Sequence, residues 1–98
     1  MTHITFTGHT IDVTDAIKDH TNQRFEKVQR HFDHITSAHM TIHVEKLDNI
    51  AEITIAVPGH QFHAKASSDD MYKSIDEMMK ILNRQVVEHK EKISKHRD

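Results

Sequence analysis

The stretch AHMTIHVEKLDNIAEITIAVPGHQFHAKA, residues 38–66, alternates between apolar and polar along most of its length. Ala38, Met40, Ile42 and Val44 fall on one face, while His39, Thr41, His43 and Glu45 fall on the other. Ala51, Ile53, Ile55 and Val57 form a second apolar row, and Phe62, Ala64 and Ala66 a third. A period of two sustained through three runs means three half-buried strands. KLDN, residues 46–49, and Pro58-Gly59 separate them as turns. The expectation is an antiparallel meander with one face in the core and one polar face.

Upstream, HITFT, residues 3–7, places Ile4 and Phe6 on one side, a short strand that Gly8 should end. Thr14 is a fitting N-cap, with Asp15 near the positive end of the helix dipole. Ile17, Thr21, Phe25, Val28 and Phe32 then recur every three or four residues, the buried face of a helix reaching about Phe32. His20, Arg24, Lys27 and His31 form a second stripe, about 100° around the helix from the first. Downstream, SSDD, residues 67–70, reads as a hydroxyl cap followed by two acids in a first helical turn. Met71, Ile75, Met78, Leu82, Val86, His89 and Ile93 mark the buried face of a long final helix. The order is β-α-β-β-β-α, an α+β two-layer sandwich with both helices on one face of a four-stranded sheet.

Ninety-eight residues suit a single domain over 1–98, the last few forming a frayed tail. No cysteine occurs, which rules out a disulfide framework and a thiolate zinc site. The N-terminal segment has neither a basic leader nor an apolar run, so the expectation is a soluble, cytoplasmic protein without a membrane partner. The formal charge is −2 at pH 7, but it is unevenly distributed. Residues 80–97 hold six Lys or Arg against two Glu. A segregated basic patch on a near-neutral protein fits these numbers.

Eleven histidines stand out. His39 and His43 share a strand face but stand roughly 13 Å apart at the usual strand rise. With no thiolate or nearby carboxylate to complete a ligand set, no metal is expected, nor any other cofactor. No nucleophile motif or Gly-rich phosphate loop occurs, so neither an enzyme nor a small-molecule substrate is expected. Asp69 and Asp70 read as cap and dipole residues, and Asp76 and Glu77 as solvated helix surface. The open sheet face lacks the aromatic platforms of a base-stacking sheet, because Phe6 and Phe62 fall in the inward rows. What remains is the helix surface, where Arg24 and Lys27 on one helix and Lys73, Lys80 and Arg84 on the other would form a cationic groove for phosphates.

SSDDMYKSIDEMM (67–79), NRQ (83–85) and HKEK (89–92) together resemble the ribosome hibernation promoting factor family. TGHTIDVTDAIKDH (7–20), KVQRHFDHI (27–35) and VEKL (44–47) are similar to family stretches as well. The resemblance runs from about Ile4 to Lys92 and implies a double-stranded-RNA-binding-like sandwich with two parallel helices on the sheet. It implies binding to the small ribosomal subunit and its 16S rRNA, in the channel of messenger and transfer RNA. It further implies silencing of translation in stationary phase or stress, and pairing of whole ribosomes into inactive dimers. The chain stops six residues after Lys92 and so resembles the short form, for which pairing would need a separate ribosome modulation factor.

By the same resemblance rRNA is contacted through basic residues of both helices, matching Arg24, Lys27, Arg84 and Lys90 here. Lys80 and Lys92 complete the expected phosphate-binding set, while Tyr72 and Asp76 are expected to hold the last helix in place. Family members commonly carry cations just before the Leu at 82 and just before the His at 89; this chain has Ile81 and Glu88. A second reading stays open, that of a protein-interaction module, such as a sigma-factor regulator, using the His-rich sheet face.

Overall fold

A computed structural model describes residues 3–31 and 34–95, with side chains through Glu91. The elements are β1 (Ile4–His9), α1 (Asp15–Gln29), β2 (Ser37–Glu45), β3 (Asp48–Val57), β4 (His60–Ser68) and α2 (Met71–Lys95). The sheet order is β1-β2-β3-β4. β1 pairs with β2 in parallel, Ile4 opposite Ala38, and α1 supplies the crossover that a parallel pair requires. β2, β3 and β4 form the antiparallel meander, with Ile53 between Met40 and Ala64.

The alternating rows point as their periods predict. Met40, Ile42, Ala51, Ile53 and Ile55 are fully buried, beside Phe62 and Ala64. α2 lies over β3 and β4 and seals them with Ile75, Met78, Leu82 and Val86. α1 runs beside α2 and adds Ile17, Phe25 and Val28 to the same core. Contacts rise together along both chains, from His20 with Tyr72 to Lys27 with Lys80 around one cleft, so the helices are parallel. Among the described residues two polar side chains are fully buried, and each is satisfied. The Thr21 hydroxyl donates to Ile17 O (2.8 Å), and the Ser74 hydroxyl donates to Asn49 O (2.6 Å), fastening α2 to the start of β3.

Several boundaries differ from the sequence expectation. Gly8 does not end β1; it pairs with Ile42, and the strand continues to His9. Its glycine answers a close approach, because a Cβ there would collide with the carbonyl oxygen of Ile11. α1 stops at Gln29 rather than near Phe32, which lies outside the described residues, its last turn tightening as His31 N–H bonds Val28 O (3.0 Å). Thr14 caps α1 as expected, its hydroxyl accepting from Ile17 N–H (3.2 Å). At α2 the cap is not a serine. Asp70 accepts from Lys73 N–H (3.1 Å), while Ser68 receives Asp70 N–H (3.2 Å) in a local turn, so neither acid lies inside the first turn. Pro58 and Gly59 make the two-residue turn between β3 and β4, Gly59 taking φ +78°. Ile93 has its side chain outside the described residues. Among the described residues no helix is long and apolar enough to cross a membrane.

Candidate nucleic-acid interface

On α1 the stripe His20, Arg24 and Lys27 sits one residue before the buried Thr21, Phe25 and Val28. On α2 Asp76, Lys80 and Asn83 each sit one residue after the buried Ile75, Met79 and Leu82. Parallel helices lying side by side turn opposite flanks toward each other, so these two stripes meet. Between them opens a cavity of about 400 Å³ lined by Arg24, Lys27, Val28, Asp76, Met79, Lys80 and Asn83.

Asp76 organises the near end of the cleft. Its Oδ1 accepts from Arg24 Nε (2.9 Å) and from His20 Nε2 (2.8 Å). The His20 ring stands edge-on to Tyr72, with centroids 5.1 Å apart. Burial pushes the Asp76 carboxyl upward, but the hydrogen bonds and charges of His20 and Arg24 outweigh it and hold the group below the usual carboxylate range. Asp76 is therefore an interhelical anchor, as expected of a residue that holds the last helix in place with Tyr72. Tethering through Nε fixes the Arg24 guanidinium plane and leaves its four terminal N–H donors. The Arg24 side chain stays 45% exposed, so it remains open to an anion.

The other expected contacts divide by position. Lys27 and Lys80 are exposed on the rim of the same cleft, Lys80 loosely paired with Glu77 at 3.7 Å. At about 100° per residue, Asp76, Lys80, Asn83 and Lys90 fall within an arc of about 80° on α2. Lys90, exposed, thus continues the cleft line about 10 Å beyond Asn83. Arg84 is exposed about 40° past Lys80, on the flank away from α1. It is not a cleft residue. That outer flank also carries Glu77, Ile81 and Glu88, so basic character concentrates between the helices rather than on it. The Lys92 side chain lies outside the described residues.

Asn83 was not singled out as a contact by its sequence. Its Oδ1 is buried at the cleft and has no hydrogen-bond partner among the described residues. The one available signal was its type: asparagine is a poor helix former, here set in mid-helix beside core Leu82.

The open sheet face is internally tied. His39 sits between two hydroxyls, Thr5 Oγ1 on Nδ1 (2.6 Å) and Thr7 Oγ1 on Nε2 (3.2 Å). His63 meets Thr54 Oγ1 through Nδ1 (2.9 Å) and Glu52 through Nε2 (2.9 Å). Among the described residues no group of three or more His, Asp or Glu side chains is placed to hold a metal ion.

Comparison with known proteins gives a consistent picture. The family model described as Sigma 54 modulation protein / S30EA ribosomal protein matches residues 4–94. The chain is 42% identical over 89 residues to the ribosome hibernation promoting factor of Azotobacter vinelandii, covering 91% of this chain and 83% of that one. It is 32% identical to that of Escherichia coli K12, covering 95% and 98%. The structure of a ribosomal subunit interface protein from Coxiella burnetii superposes with a TM-score of 0.85 at 33% identity, covering 92% of this chain and 98% of that one. The N-terminal domain of Thermus thermophilus Protein Y gives 0.78 at 26% identity, covering 84% and 91%.

Proposed function

Because the chain belongs to the Sigma 54 modulation protein / S30EA ribosomal protein family, we propose that it is a ribosome hibernation factor acting through its paired helices. It binds the small subunit in the channel of messenger and transfer RNA and so holds ribosomes inactive under stress or in stationary phase. Arg24, Lys27 and Lys80 contact rRNA phosphates at the cleft, Lys90 and Lys92 extend the contact along α2, and Arg84 adds one from the outer flank. It works in the cytoplasm without cofactor or catalytic step, and pairing into dimers draws on a separate ribosome modulation factor.

The observation that carries this reading is the meeting of three cations from two helices around one open cleft, on a protein whose formal charge is −2. Positive potential is local, so an anionic partner is drawn to one face rather than to the whole surface. Closely spaced Arg and Lys at a groove suit phosphates, by charge and by bidentate geometry at Arg24. The rival reading, a sigma factor or another protein on the sheet face, has less to use, because His39 and His63 already bond to neighbours on that face.

Cosedimentation with separated ribosomal subunits tests the proposal. Wild type should pellet with small subunits at low salt, and Lys27→Glu should release it. Failure to bind small subunits at low salt, or binding insensitive to Lys27→Glu, would overturn it.

A further inference from the structure

The cleft is chemically layered. Its rim carries Arg24, Lys27 and Lys80, with the half-exposed Asp76 carboxylate bonded to Arg24; its floor is Val28 and Met79, both buried, and beside them lies the buried, unpartnered Asn83 Oδ1. A phosphate does not fit such depth. Apolar walls would strip its hydration, the buried Asn83 oxygen would face it as a second acceptor, and Asp76 would repel it. A nucleobase fits on every count. Its flat face packs against the Met79 thioether and Val28, and an exocyclic amino group can donate to the waiting oxygen. Its own phosphate then lies at the cationic rim. The volume, about 400 Å³, lies within the usual range of small-molecule pockets.

We infer that the cleft between α1 and α2 receives one unstacked, amino-bearing RNA base, with Asn83 Oδ1 as the acceptor that reads it. The inference rests on the ribosomal-RNA reading above and deepens it from a backbone contact to a base contact. RNA loops and bulges are recognised in this way, by splaying a base into a pocket. A buried acceptor without a partner is a cost to the free protein, and a donor supplied by RNA removes it. Stability and binding therefore pull in opposite directions at Asn83, which makes the residue diagnostic.

Asn83→Leu, similar in volume and without the orphan oxygen, should melt at the same temperature as wild type or higher. It should nevertheless bind small subunits about tenfold more weakly, the scale of one lost hydrogen bond to a buried group. The slope of affinity against salt should stay unchanged, because no phosphate contact is lost. Binding of Asn83→Leu equal to wild type would overturn the base contact. Absence of wild-type binding at low salt would instead overturn the ribosomal reading beneath it. An NMR titration of the labelled full chain gives a second readout. Cytidine 5′-monophosphate should shift the Asn83 side-chain amide and the Met79 methyl saturably, whereas ribose 5-phosphate should move only signals at the rim. Equal responses to the two, or none at Asn83 and Met79, would refute the inference.

Discussion

At Asp76 two donors from the other helix converge on one carboxylate oxygen. The carboxyl is held below its usual value, so its folded state favours the charged form. The sign follows from that direction. The stabilisation is fully present above the unfolded value of 3.8 and is lost as pH falls through the lower folded value. Water screens the group, which is 37% exposed. Asp76→Asn should therefore cost about 1 kcal/mol or less at neutral pH. Thermal melts of the two proteins should differ at pH 7 and draw together below about pH 4, the range set by carboxylate titration. Its effect on ribosome binding should exceed its effect on stability, because Arg24 loses the tether that aims it. Gly8 is the other position where one residue decides a local shape. Gly8→Ala should cost about 1–3 kcal/mol by chemical denaturation, the scale of overpacking against backbone that cannot yield.

The two helices were legible as elements, and so was the start of α1, but the end of α1, the cap of α2 and the helices' mutual register were not. Alternation over residues 38–66 yields the meander directly, and the three-four spacing from Ile17 to Val28 yields the buried face of α1. Thr14 was readable as a cap because a hydroxyl stands alone before an amphipathic run. SSDD offers four adjacent capping side chains, and sequence cannot choose among them. The chain selects Asp70 because Ser68 is drawn into bonds with Asp70 and Ser74. Asp70→Ala should accordingly cost about 1 kcal/mol, while Ser67→Ala should change stability by less than about 0.5 kcal/mol; thermal melts distinguish them. The pairing of Asp76 with Arg24 spans 52 residues and depends on two parallel helices lying flank to flank. Periodicity finds each flank but not which neighbour it meets. Glu77 looks the same as Asp76 in sequence, yet one residue turns it about 100° toward solvent. Asn83 was missed for a related reason, since an unpartnered atom is a property of packing rather than of pattern.

For the whole molecule, a formal charge of −2 conceals a cationic seam between α1 and α2 and a hydrogen-bonded, histidine-bearing sheet on the opposite face. This two-faced arrangement predicts strong salt dependence despite near-neutrality. Each lost phosphate contact should lower the slope of log affinity against log salt by about one in a duplex-like site. Lys27→Ala, measured by cosedimentation across a salt series, should show that decrement. Arg84→Ala should show it too, because Arg84, though outside the cleft, contacts phosphate from the outer flank.

The most direct measurement of the central claim compares the two faces in one binding experiment with purified small subunits. One variant reverses the seam with Arg24→Glu, Lys27→Glu and Lys80→Glu; the other neutralises the sheet with His39→Ala and His63→Ala. The helical seam as the ribosome-binding surface predicts that the first variant fails to cosediment and the second binds as wild type, both remaining folded by circular dichroism. Retained binding by the seam variant together with loss in the sheet variant would contradict it.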